Sequence, residues 1–140
     1  MKSLIENFPN QLREAIQIGE KSKLTTSKRK IANVLISGLG GSGIGGSIVS
    51  EIVALEAAIP ITVSKGYFIP KFVNENSLVI ISSFSGNTEE TLNCLHLALK
   101  RKAKIVCITS GGKVAEIAKK NFHFSITIYI SSGRWRISAS

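Results

Sequence analysis

Apolar residues in this chain fall into two alternating kinds of run. Five are short and nearly unbroken: IANVLIS (31–37), ITVSK (61–65), SLVIISS (77–83), KIVCITS (104–110) and FSITIYI (124–130). Their length and β-branched content predict strands, most of them buried on both faces. Elsewhere apolar positions recur every three or four residues, the helical period. Leu12 and Ile16, with Ala15, predict a helix over 9–20, with Pro9 in its first turn. Ile44, Ile48, Ile52 and Leu55 predict a second that runs toward Pro60. Leu92, Leu95 and Leu99 predict a third, and Val114, Ile117 and Ala118 a fourth.

Strands alternating with helices predict an α/β fold, a doubly wound five-stranded parallel sheet flanked by helices with flavodoxin-like layering. Residues 1–130 read as a single domain. The last ten, SSGRWRISAS (131–140), have no period and read as an irregular tail.

Composition narrows the chemistry. The chain has 140 residues, 44% of them hydrophobic, which suits one domain with a real core. No apolar run is long enough to cross a membrane, and the N-terminus lacks the h-region of a signal peptide. Cys94 and Cys107 fit neither a zinc site nor a C-x-x-C redox pair, so they read as reduced core thiols of a cytoplasmic protein. All nine acids are Glu. Without Asp there is no Ser-His-Asp triad, EF-hand or Walker-B group. The +9 charge gathers at 21–30 and at Lys100–Lys104. The first run reads as a solvated linker and the second as a helix C-terminus, where lysines complement the dipole. Neither is interleaved with stacking aromatics, so nucleic acid is not the expected partner.

Two stretches carry candidate chemistry, both where a strand gives way to a helix. SGLGGSGIGGS (37–47) contains G-x-G-x-x-G at Gly38, Gly40 and Gly43. A dinucleotide site also needs an acid after the second strand, and Lys65 stands there instead. The glycines then read as a place where backbone approaches an anion or a hydroxylated ligand, with Ser42 adding a hydroxyl, or simply as tight strand-to-helix packing. SSFSGNTEE (82–90) sets the hydroxyls of Ser83, Ser85 and Thr88 around Gly86 and Asn87. Asn87 with Glu90 three residues on resembles a capping box, and such a helix start offers donors and a positive dipole to a phosphate monoester. The alternative is a well-capped turn with no ligand. Glu89 and Glu90 would oppose a phosphate unless they point away. No P-loop pattern occurs.

GLGGSGIGG, SSFSGNTEETL and ITSGGKVAEIA together resemble the first sugar isomerase (SIS) domain of bacterial bifunctional phosphoglucose/phosphomannose isomerases. The resemblance runs over residues 5 to 130. It implies that Ser83, Ser85 and Thr88, with the amides of Gly86 and Asn87, bind a phosphate, and that Gly40, Gly41 and Ser42 line the sugar. It implies a hexose 6-phosphate substrate, aldose–ketose isomerisation through a cis-enediol, no cofactor or metal, and a homodimer. The family's catalytic glutamate and histidine lie beyond the first SIS domain, so no catalytic residue is assigned here. His96 reads as a partly buried helical residue and His123 as structural. The family closes this domain with a segment that supplies an arginine. Here ISSGRWRISAS loses that register, lacks the proline and sets Arg136 one residue short, so neither Arg134 nor Arg136 is assigned. The ending reads as a disturbed reading frame or as a genuine short protein. A stand-alone phosphosugar sensor and a nucleotide-binding domain are the other readings.

Overall fold

The computed structural model describes residues 2–21, 28–121, 126–131 and 134–139. Its elements are α1 (Lys2–Lys21), β1 (Asn33–Ser37), α2 (Gly41–Ile52), β2 (Ile61–Ser64), β3 (Ser77–Ser83), α3 (Glu89–Lys100), β4 (Lys104–Thr109), α4 (Gly112–Asn121), β5 (Ile126–Ser131) and β6 (Arg134–Ala139). All four helices and all five strands expected from the apolar pattern are present. Their edges differ: α1 begins well before Pro9, and α2 stops at Ile52.

The strand order is β2-β1-β3-β4-β5-β6. The four-stranded parallel body β2-β1-β3-β4 is in continuous register, Leu35 pairing with Thr62 on one side and Val79 on the other. β5 extends it in parallel through Cys107–Thr127 and Ile108–Ile128. The sheet departs from the five-stranded, all-parallel one expected by a sixth strand. β6 joins β5 antiparallel, from Ser131–Arg134 to Ile126–Ala139. The expected irregular tail thus contributes a strand: with only 132–133 between them, β5 and β6 are close enough to pair as a hairpin.

Neighbouring residues of β1 serve opposite faces. Leu35 joins Val79, Ile81, Cys94, Leu95, Ala98, Cys107, Val114 and Ala118 in the core beneath α3 and α4. Ile69 and Val73, from the β2–β3 connection, close that core. Ile36 and Val63 face α2 instead, meeting it at Gly46. This is the doubly wound arrangement the sequence predicts. Cys94 and Cys107 are buried and unpaired, as expected. Burial pushes both thiols up, Cys107 to about 12.

Helix α2 departs from expectation. Its ridge of Ile44, Ile48 and Ile52 faces outward, and Leu55 just beyond is fully exposed, at 100%. The buried face is glycine: a Cβ on Gly46 would lie 2.8 Å from Ile36 Cγ2. Close approach of the helix to the sheet takes precedence over burying its large side chains. The 3.6-residue period identified the helix, but not which face turns inward. His96 likewise is exposed rather than partly buried, because Thr91, Cys94, Leu95 and Ala98 form the inner face of α3.

Candidate functional site

In a sheet ordered 2-1-3-4-5, β1 and β3 are neighbours whose crossovers leave in opposite directions. The crevice at their carboxyl ends is where open α/β sheets bind ligands. A pocket of about 280 Å³ opens there, lined by Leu39, Gly41 and Ser42 after β1 and by Ser82, Ser83, Phe84, Ser85 and Thr88 at the end of β3. The fold thus brings together the two stretches that the sequence marks separately. Of the expected residues, Gly41, Ser42, Ser83, Ser85 and Thr88 line the pocket; Gly40, Gly86 and Asn87 adjoin lining residues in sequence but are not part of the lining. The sequence reading did not single out Leu39, Ser82 or Phe84. Only their places beside the marked residues could have signalled them.

The glycines after β1 divide by task. A Cβ on Gly38 would meet the Ser82 carbonyl oxygen at 2.9 Å, and one on Gly43 the Gly38 oxygen at 2.6 Å. These two hold β1, α2 and β3 in close contact. Gly40 turns the chain with φ +56 and is the N-cap of α2. Gly41 meets nothing within 4 Å, so its backbone is open to a ligand. The Lys65 stem packs beside Gly43, its Cγ 3.2 Å from where a Cβ would be.

The loop after β3 is organised by its own hydroxyls. Gly86 N–H donates to Ser83 Oγ at 3.2 Å, Asn87 N–H donates to Ser85 Oγ at 3.3 Å, and Ser83 Oγ shares a hydrogen bond with Thr88 Oγ1 at 3.2 Å. These bonds are long, and each uses a group that an anion's oxygens could take over. A third loop, after β4, locks this one from behind. The Phe84 carbonyl accepts Ser110 N–H at 3.0 Å and also the Ser110 hydroxyl. The Gly86 carbonyl accepts Val114 N–H at 2.9 Å. Gly86 has φ +66, and a Cβ there would fall 1.8 Å from the Gly111 oxygen, so only glycine fits.

Asn87 does not cap α3. Its Oδ1 instead accepts Lys113 N–H at 3.1 Å, tying the loop to the start of α4. Thr88 is the N-cap residue and makes no side-chain cap bond; Gly40 has no side chain to cap α2 with. The positive ends of two helices therefore point at one pocket without a side-chain cap on either. Glu89 and Glu90 are absent from the lining. Their charges act on Tyr67, whose phenol is held above its usual value by Glu90 first and Glu89 second. The Tyr67 carbonyl accepts Asn93 Nδ2–H at 2.6 Å, which docks the β2–β3 connection on α3.

Among the described residues, no histidine, glutamate or lysine lines the pocket. His96 lies on the exposed face of α3. His123 is outside the described residues; Arg134 and Arg136 are in β6. Among the described residues no three His, Cys, Asp or Glu side chains gather as a metal site, and no helix is long and apolar enough to cross a membrane.

The SIS domain family model matches residues 29–134. The chain is 42% identical over 124 residues to the bifunctional phosphoglucose/phosphomannose isomerase of Caldicellulosiruptor bescii, a match covering 89% of this chain and 37% of that protein. It is 48% identical over 86 residues to the protein of the same name in Thermoplasma acidophilum, covering 61% and 27%. The chain thus spans about a third of the length of these curated relatives. A solved structure from Clostridium difficile 630 superposes with a TM-score of 0.69 at 23% identity, over 85% of this chain and 34% of that one. Tagatose-6-phosphate ketose/aldose isomerase from Escherichia coli superposes at 0.62 with 17% identity, over 94% and 35%. At these identities the two structures speak for the fold alone.

Proposed function

The chain belongs to the SIS domain family, and from that premise we propose that it is the phosphosugar-binding domain of a glucose 6-phosphate/mannose 6-phosphate isomerase. The observation that carries this is the single pocket that joins the glycine loop to the hydroxyl loop at the β1/β3 switch point. In this reading Ser83, Ser85 and Thr88 bind the phosphate oxygens, assisted by the amides of Gly86 and Asn87. Binding exchanges the loop's internal hydrogen bonds for charge-assisted ones. Gly40, Gly41 and Ser42 offer backbone and one hydroxyl to the sugar. The phosphate sits at two helix N-termini, with Glu89 and Glu90 engaged at Tyr67 rather than in the pocket.

The relatives are named phosphoglucose/phosphomannose isomerases, and in this reading the reaction interconverts an aldose 6-phosphate and fructose 6-phosphate through a cis-enediol. Moving a proton between C1 and C2 requires a general base within hydrogen-bond reach. Among the described residues the pocket lining is Leu, Gly, Ser, Phe and Thr. This chain by itself is therefore expected to bind hexose 6-phosphates and not to turn them over. The remaining parts of the reading are a cytoplasmic location, a homodimer and no nucleic-acid partner. Buried, unpaired Cys94 and Cys107 suit the first, and the outward apolar ridge of α2 suits an assembly that would cover it.

The nucleotide-binding alternative loses ground on two observations. The strand order is not the 3-2-1-4-5-6 of dinucleotide folds, and β2 is followed by Lys65, whose stem lies along α2. Calorimetry with fructose 6-phosphate and with fructose tests the proposal. Heat with the ester and none with the free sugar is expected; equal heats would remove the phosphate cup.

A further inference from the structure

The pocket has an apolar rim that phosphate binding does not explain. Phe84 and Leu39 line it from opposite loops, and they are 63% and 41% exposed, whereas Ser83 at its base is buried. Neither serves the core. Scattered exposed apolar residues need no explanation, but these two share one small, otherwise hydroxyl-rich cavity. The backbone of each is also held in place before any ligand arrives. The Phe84 carbonyl is fixed by Ser110 N–H and by the Ser110 hydroxyl, and Leu39 is set at the start of α2, its carbonyl accepting Gly43 N–H at 3.4 Å. An aromatic side chain has only two torsions to fix, and on a held backbone it offers contact area at a small entropic cost on binding.

Resting on the phosphosugar reading, we propose that Phe84 and Leu39 form an apolar clamp. It packs against the C–H face of the carbon skeleton next to the phosphate, and so selects sugar phosphate esters over inorganic phosphate. The hydroxyl cup recognises the phosphoryl group alone. The rim recognises what is attached to it. On this proposal inorganic phosphate, which has no carbon skeleton, engages the cup and not the rim, so the two functions separate by ligand.

The test is calorimetry of the whole chain and its Phe84→Ala, Phe84→Tyr and Leu39→Ala variants, each with fructose 6-phosphate and with inorganic phosphate. Both positions are exposed, so the variants should fold, and circular dichroism checks this. Phe84→Ala should weaken the sugar ester about three- to ten-fold, the range of an aromatic packing contact. Leu39→Ala should have a smaller effect of the same kind, Phe84→Tyr should bind like the parent, and inorganic phosphate should be held equally by all. Unchanged affinity of Phe84→Ala for the sugar ester overturns the clamp. So does an equal loss for both ligands, which would show only a distorted loop. If the parent chain binds neither ligand, the phosphosugar reading itself fails and the clamp with it.

Discussion

The two loops that wall the pocket are built by opposite means. The one after β1 is shaped by missing side chains: Gly38 and Gly43 let strand and helix approach until a Cβ would collide with backbone. The one after β3 is shaped by side chains that bond to their own backbone, Ser83 and Ser85 accepting the amides of Gly86 and Asn87. The first loop is held by contact. The second is held by hydrogen bonds, and from behind by Ser110 of the third loop and by Lys113 and Val114 at the start of α4. Substitutions in the first should therefore register mainly as stability, and those in the second mainly as affinity. Gly86 is the exception, a packing glycine inside the hydroxyl loop.

That exception gives the largest expected effect. Gly86→Ala places a methyl 1.8 Å from the Gly111 oxygen at φ +66, and should cost at least about 3 kcal/mol of stability in denaturant unfolding. In the first loop, Gly43→Ala, aimed at the Gly38 oxygen 2.6 Å away, should cost about 2 kcal/mol or more. Gly41→Ala, with nothing within 4 Å, should stay within about 0.5 kcal/mol of the parent. Equal losses at Gly43 and Gly41 would break the division between packing and open glycines.

Affinity changes come next. Thr88→Ala should weaken fructose 6-phosphate binding by about 1–2 kcal/mol, the scale of a lost hydrogen bond to a charged group. Its stability should move less than its affinity, because Thr88 makes no side-chain cap bond and its hydrogen bond with Ser83 Oγ is long, at 3.2 Å. Joint replacement of Ser83 and Ser85 by alanine should be worse than Thr88→Ala, without being the sum of the single changes. A Thr88→Ala variant that loses stability and keeps its affinity would invert the comparison.

An effect that is nil at neutral pH lies outside both loops. Burial holds the Cys107 thiol proton up to about 12, against an ordinary value of 9.0. Between those values the unfolded chain loses a proton that the folded chain keeps, so stability should fall as pH rises above 9 and be unaffected below it. Cys107→Ser should flatten part of that slope in pH-dependent melting. An identical slope in both proteins would remove the thiol as its cause.

Much of this architecture is legible in the residues. Unbroken runs such as SLVIISS identify central strands because a sheet covered on both faces leaves no polar side to alternate with. Both candidate loops follow strands, and parallel order places strand ends together, so their meeting is implied by topology. Three features were not legible. The inward face of α2 is its glycine face, a result of distance between helix and sheet that no hydrophobic pattern records. Asn87 fits a helix cap by spacing, but its partner, Lys113 N–H, lies 26 residues away. β6 has no period to mark it; it forms by pairing with β5.

The central claim is that a phosphosugar sits where the two loops meet. A ¹⁵N–¹H titration of the labelled chain with fructose 6-phosphate tests it most directly. The account predicts that the largest amide shifts fall at Gly41 and Ser42 together with Ser85, Gly86, Asn87 and Thr88. Both groups should saturate with one dissociation constant, and free fructose should leave them in place. Shifts centred on the basic run Lys100–Lys104, or on one loop without the other, would contradict it.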